Sequence, residues 1–300
     1  MKKRNIAVVF GLLLLSGVMI AQPTPGFREA LEKALADLST ISIPELKADD
    51  SYRAKGNLKR SYFFKEAGQT MPYRLYVPGT YQEGKTPLVV LLHGGGGNEN
   101  SLVDGNNKIS LLLAEKYGYM VLSPMGYTAI GAYGSPLRLP AVFGKQDEQA
   151  KQLAAFANDT TRQRILSWSE KDVLNALDLV ISEYKPDMNN IFLAGHSMGS
   201  GGTWYLGGKY AEKWKAIAPM SGPFIDERSY PWEVMKTKPI FISEGTGATP
   251  SLESSRILSQ HLKKEGFNTA YMEVEANHGE MTSLIFPHVF EFFNAQLKKK

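Results

Sequence analysis

A serine stands between two glycines, each two residues away, in AGHSMGSGG, residues 194–202. Gly195-His196-Ser197-Met198-Gly199 fits G-x-S-x-G, a pattern that carries chemistry only where a strand turns sharply into a helix. A serine hydroxyl is a poor nucleophile at neutral pH and needs a base within hydrogen-bond reach. At a tight elbow the strand and helix come so close that the residues two before and two after the serine must be small, and Gly195 and Gly199 supply that clearance. The helix that follows would aim its first amides at the site, which makes the Met198 N–H a donor to an oxyanion. A second donor is expected from His93-Gly94-Gly95-Gly96-Gly97, where four glycines let the backbone turn its N–H groups toward a ligand. Gly95 is the first choice there and Gly96 the next.

The base should be a histidine late in the chain. Of the five, His93 and His196 sit inside the glycine motifs, and His261 and His288 fall in predicted helices, where a solvated or packed imidazole is the ordinary reading. His278 lies in ANHGE, a loop between a strand-like and a helix-like segment, and is the residue expected to act.

These residues can meet only if the elements carrying them are arranged correctly. NLKRSYFF and MPYRLYVP read as two strands joined by a turn at Gly68, an antiparallel start to a sheet. PLVVLLHG (87–94), YMVLSP (119–124), NIFLAGHS (190–197), KAIAPMSG (215–222), PIFISEG (239–245) and TAYMEVE (269–275) follow as short apolar strands. Helical stretches lie between them, among them LLLAEKYG, SEKDVLNALDLVISEY with Ser169 as its expected N-cap, 251–265 and 280–297. Apolar strands alternating with helices imply an α/β fold: a mostly parallel sheet of about eight strands with helices on both faces. Active sites in such sheets collect at the carboxyl ends of the strands. The glycine loop, Ser197, Thr246–Pro250 and His278 all follow strands on that edge.

Apolar residues make up 43% of the 300-residue chain and charged residues 21%, which suits a globular protein with a sizeable core. The N-terminus, MKKRNIAVVFGLLLLSGVMIAQ, has a basic patch, an apolar run from Ile6 to Leu15 and small residues up to Ala21. That run is shorter than the about 20 residues a transmembrane anchor needs, so residues 1–21 are expected to be a cleaved export signal, leaving no stable membrane anchor and placing the protein in the periplasm or outside the cell. Losing Lys2, Lys3 and Arg4 would bring the formal charge from +4 to +1, and no basic stripe argues for nucleic acid. Without cysteine the chain has no disulfide, no thiol nucleophile and no thiolate metal site. FREALEKALADL (27–38) reads as an amphipathic helix within an N-terminal extension, 22–56, before a main domain at 57–300.

HGGGGN lacks the Gly-Lys-Ser/Thr ending of a phosphate-binding loop. SEKDVLNALD reads as a solvated helix face rather than a metal site, and Trp204 as core. The segment 124–168, with Tyr127, Tyr133, Phe143 and Phe156, reads equally as cleft wall or as loop packing.

PLVVLLHGGGGN, NIFLAGHSMGSGGTW, the PIFISEG strand and the late NHG, in this order and spacing, together resemble the α/β-hydrolase superfamily. Within it the chain is similar to the polyhydroxybutyrate-depolymerase-like group, which includes secreted feruloyl and acetylxylan esterases. The resemblance covers about residues 57–297. It implies a carboxylesterase-type serine hydrolase that needs no cofactor or metal and takes a small-molecule or polymer-linked ester, with a serine peptidase or a degenerate, ligand-binding pseudo-hydrolase as alternatives. It also implies the order nucleophile, acid, histidine, with the acid after the seventh strand in G-x-x-D, often before Thr-Pro. This chain reads Gly245-Thr246-Gly247-Ala248-Thr249-Pro250, so Ala248 occupies the position of the expected aspartate. Either the acid has been lost, by design or naturally, or it is supplied from elsewhere. Asp226, followed by Glu227 beyond the sixth strand, is the candidate for a relocated acid, whereas Glu253 reads as a first-turn helix residue. The short segment 223–238, with Tyr230 and Trp232, leaves little chain for a lid and implies an open cleft.

Overall fold

Five-residue runs such as LVVLL and AIAPM are too short and too continuously apolar for amphipathic helices, and each becomes a strand with every residue buried. The computed structural model describes residues 24–44, 52–137, 159–225, 229–247, 249 and 251–297; the expected export signal lies outside them. The strands are β1 (Gly56–Phe64), β2 (Gln69–Val77), β3 (Leu88–Leu92), β4 (Met120–Pro124), β5 (Ile191–His196), β6 (Ala216–Met220), β7 (Ile240–Gly247) and β8 (Thr269–Asn277). The helices are α1 (Phe27–Ala36), α2 (Ser101–Asp104), α3 (Ile109–Tyr117), α4 (Thr160–Tyr184), α5 (Met198–Lys209), α6 (Trp232–Lys236), α7 (Leu252–Lys264) and α8 (Met281–Leu297), with short 3₁₀ turns between some of them.

The strands form one eight-stranded sheet in the order β1-β2-β4-β3-β5-β6-β7-β8. β1 pairs antiparallel with β2, which turns back at Gly68 (φ 64°), and β2 pairs antiparallel with β4. From β4 to β8 all neighbours are parallel. Alternate residues of each parallel strand serve opposite cores: Leu88, Val90 and Leu92 join Leu193, Trp204 and Trp214 on one face, and Val89 and Leu91 join Phe192, Phe286, Phe290 and Phe293 on the other. This double burial is why the strands read as unbroken apolar runs. Among the described residues no helix is long and apolar enough to cross a membrane.

α1 lies along α8, with Phe27, Leu31 and Leu35 half-buried against the second core. The Thr24 hydroxyl ties the start of this segment to the Glu280 carboxylate at 2.7 Å.

Two expectations about 169–178 are corrected. Ser169 does not cap a helix: α4 starts nine residues earlier, where the Asp159 carboxylate accepts from the Thr161 and Arg162 amides. Ser169 is instead buried inside α4, donating to the Gly126 carbonyl and accepting from the Tyr133 amide. The stretch is also not simply a solvated face, because Glu170 and Asp172 are buried. Asp172 accepts from the Tyr62 hydroxyl at 2.6 Å and the Tyr127 amide at 2.9 Å, holding the loop after β4 onto α4. A polar residue on a helix looks solvated until a loop folds across it.

Candidate active site

The elbow comes first. β5 ends at His196 and α5 begins at Met198, so Ser197 makes the whole turn alone, with φ 57° and ψ −115°. A non-glycine residue held in so sparsely populated a conformation stores strain that the surrounding packing must overcome. That packing is visible at the flanking glycines. A Cβ on Gly195 would fall 2.3 Å from the Gly199 carbonyl oxygen, and one on Gly199 would fall 2.1 Å from that of Leu92. Backbone meets backbone here, so neither contact relaxes by side-chain movement. The Ser197 amide donates to the Met220 carbonyl at the end of β6.

His278 is presented between β8 and α8. The Asn277 side-chain oxygen accepts from the Gly279 and Glu280 amides, both at 3.0 Å, which fixes the turn on either side of the imidazole. Its Nε2 lies 2.9 Å from the Ser197 Oγ. Burial holds its pKa below the ordinary histidine value. The ring of His196 lies beside it, tilted by 42°, with centroids 4.6 Å apart. Burial first, and the neighbouring His278 second, push the His196 pKa down to about 3, so this second imidazole stays neutral.

The glycine loop after β3 faces the elbow. A Cβ on Gly94 would lie 3.5 Å from that of Ser197, and one on Gly95 would lie 3.8 Å from that of Met198. His93 anchors the loop: its two ring nitrogens lie 2.8 Å from the Gly94 and Met125 carbonyls, and its own carbonyl accepts from the buried Tyr133 hydroxyl. The two glycine amides differ. Gly96 donates its N–H to the Ala129 carbonyl at 2.7 Å, so it is already engaged. The Gly95 and Met198 amides have no acceptor among the described residues.

The structure thus brings Ser197, His278, Met198 and Gly95 together, while the Gly96 amide is taken up by the Ala129 carbonyl. Ala248 and Asp226 lie outside the described residues. His261 and His288 are on α7 and α8 as read, Glu253 is in the first turn of α7, Trp204 is core, and Tyr127 packs edge-on against Trp168 and Phe64.

What the sequence reading did not single out sits behind His278. Its Nδ1 is 2.8 Å from the hydroxyl of Ser221, the residue that follows β6. Ser221 is buried, with φ 57°, and its Oγ is 3.1 Å from that of Ser251 at the start of α7. Glu244, on β7, is fully buried in the same region. Ser221 falls in an unremarkable Met-Ser-Gly and Glu244 inside an apolar strand, so no local pattern marks either residue.

No family model matches the chain. Solved structures do resemble it. A thermostable esterase matches with TM-score 0.58 and 23% identity over 79% of this chain, which spans 62% of that longer chain. A ferulic acid esterase from Anaeromyces mucronatus, solved with ferulic acid, matches with TM-score 0.56 and 17% identity over 85% of this chain and 99% of its own. The fluorophosphonate-binding serine hydrolase F of Staphylococcus aureus matches with TM-score 0.57 and 12% identity over 81% and 99%. Together with the sheet order and the strand-to-helix elbow, these likenesses define the fold as that of the α/β-hydrolases.

Proposed function

We propose that this chain is a serine hydrolase that cleaves carboxylic esters through an acyl-enzyme. The observation that carries this reading is the 2.9 Å approach of the His278 Nε2 to a Ser197 hydroxyl on a strained elbow, with the Gly95 and Met198 amides close by and without an acceptor among the described residues. In the reaction, His278 Nε2 takes the Ser197 proton as Oγ attacks the ester carbonyl carbon. The Gly95 and Met198 amides donate to the resulting oxyanion, and preorganised donors of this kind are each worth about 10²–10³ in rate. The imidazolium then returns the proton to the leaving alcohol, and water repeats the sequence on the acyl-enzyme. No cofactor enters any step. The proteins with similar structures include esterases, which favours an ester over a peptide substrate. The short connection between β6 and β7 suits a soluble or polymer-linked ester better than a lipid aggregate.

Hydrolysis of p-nitrophenyl acetate and stoichiometric labelling by a fluorophosphonate test this reading. Ser197→Ala is expected to abolish both while shifting the melting temperature by less than about 3 °C, since the elbow's backbone depends on its glycines. Persistent labelling of the alanine variant removes Ser197 as nucleophile. Cleavage of peptide amides but not esters selects a peptidase, and absence of labelling in the native chain selects a protein that only binds. As part of the same proposal, residues 1–21 act as an export signal, and mature protein recovered outside the cytoplasm begins near Gln22; exported material that retains Met1–Leu15 contradicts this.

A further inference from the structure

We propose that Ser221, polarised by the buried carboxylate of Glu244, holds the Nδ1–H of His278 and so performs the orienting task that an aspartate performs in a Ser-His-Asp set. This rests on the reading of Ser197 and His278 as nucleophile and base. Three observations lead to it. The Ser221 Oγ is 2.8 Å from Nδ1, and the residue is pinned with φ 57° while its amide donates to the Ser243 carbonyl. Met220 pairs with Ser243 across the parallel β6 and β7, so the next residues along each strand, Ser221 and Glu244, are also neighbours. The Glu244 Oε1 accepts from the Ser255 hydroxyl, whereas its Oε2 is buried and has no hydrogen-bond partner among the described residues. Burial raises the Glu244 pKa, and the Ser255, Ser251 and Ser221 hydroxyls, with the Gly222 amide, counter that rise by stabilising its charge. A buried carboxylate with a spare oxygen facing hydroxyls is an acceptor waiting for an O–H.

The physical point is direction. A serine hydroxyl can donate or accept, and on its own it does not choose a tautomer for the imidazole beside it. If Ser221 donated to Nδ1, the ring proton would move to Nε2, and His278 could no longer accept the Ser197 proton. A carboxylate on the far side, reached directly or through the Ser251 hydroxyl 3.1 Å away, draws the Ser221 O–H toward itself. Ser221 must then accept from Nδ1–H, leaving the Nε2 lone pair aimed at Ser197. No proton passes to Ser221 or Glu244 during turnover; the imidazolium keeps Nδ1–H donated to Ser221 while the negative charge behind it stabilises the cation. Both are positioning residues.

Glu244→Gln tests this with little change in size, because the amide can donate to Ser221 and turn its O–H back onto His278. A wrong tautomer costs about 10⁴-fold where the carboxylate touches the histidine directly, and acting through a hydroxyl should leave roughly 10- to 10²-fold in kcat, with KM within about twofold. Ser221→Ala should lower kcat by about 10²-fold with fluorophosphonate labelling slowed but still confined to Ser197. In ¹⁵N-histidine-labelled protein, the native His278 should be protonated at Nδ1 and shift toward the Nε2–H form in Glu244→Gln at unchanged melting temperature, which a purely structural role would not produce. An unchanged tautomer, or kcat within twofold of native in both variants, overturns the proposal. The nitrogen signals need no turnover: if the native chain neither labels nor hydrolyses while Nδ1 protonation still follows Glu244, the relay stands and the esterase reading falls.

Discussion

The two sides of His278 are built from different materials. On the Ser197 side the tightest contacts are backbone against backbone, Gly195 on Gly199 and Gly199 on Leu92, and the proposed donors are main-chain amides. On the other side, among the described residues, the histidine meets one side chain, the Ser221 hydroxyl after β6, and behind it lie the Ser251 hydroxyl at the start of α7 and the Glu244 carboxyl group of β7. The Ser197 side has almost no freedom to vary at Gly195 and Gly199, where a single methyl group cannot be accommodated. The orienting side has many chemical solutions, since any well-placed acceptor fixes a tautomer. An aspartate where the resemblance expects one, at the sequence position of Ala248, would be one such solution, and the buried Glu244 offers another.

The largest effect that would break this contrast is on the Ser197 side. Gly199→Ala places a methyl 2.1 Å from the Leu92 carbonyl oxygen, and overpacking of this kind costs about 3 kcal/mol or more. The expected outcome is a melting temperature roughly 10 °C lower or loss of soluble protein. A shift under 3 °C, read by differential scanning calorimetry, would mean that the elbow has slack and that the two sides differ less than the geometry says.

A middle-sized effect concerns the orienting side. Ala248→Asp restores the carboxylate that the resemblance expects and should raise kcat/KM. If the Ser221 and Glu244 relay already does part of that work, the gain is about tenfold or less in the native chain and nearer 10² in Ser221→Ala, the signature of two groups sharing one role. Equal gains in both backgrounds would separate the two carboxylates functionally.

A third effect is on stability against pH and lies between the two sides. His196 is buried neutral beside His278 with its pKa lowered to about 3, and burial lowers the His278 pKa too. Since the unfolded chain binds these protons near pH 6.5 and the folded chain does not, the stabilisation is complete above about pH 6.5 and is lost as the pH falls toward 3, by an amount on the order of several kcal/mol for His196. Urea midpoints measured from pH 7 to pH 4 should fall steadily, and His196→Phe, which keeps a ring beside His278 and removes one titration, should flatten most of the slope. The lowered His278 pKa also keeps the base neutral, and kcat/KM high, to a lower pH than an ordinary histidine allows. An unchanged slope in His196→Phe would assign the acid sensitivity to other groups.

The sequence by itself determined whatever depends on local sterics and period. Gly195 and Gly199 around Ser197 mark a close backbone approach, doubly buried strands read as unbroken apolar runs, Gly68 marks the hairpin, and His278 stands out as the histidine in a loop after a strand. Ser169, Asp172, Ser221 and Glu244 were decided only in three dimensions. Ser169 and Asp172 look solvated until the loop after β4 covers them, and Ser221 and Glu244 are an ordinary serine and an odd charge in an apolar strand until β6 and β7 pair in parallel register. Burial and hydrogen-bond direction are properties of neighbours far apart along the chain. The hydroxyl that holds a histidine, and the carboxylate that holds the hydroxyl, leave no periodicity or spacing to be read before the sheet is assembled.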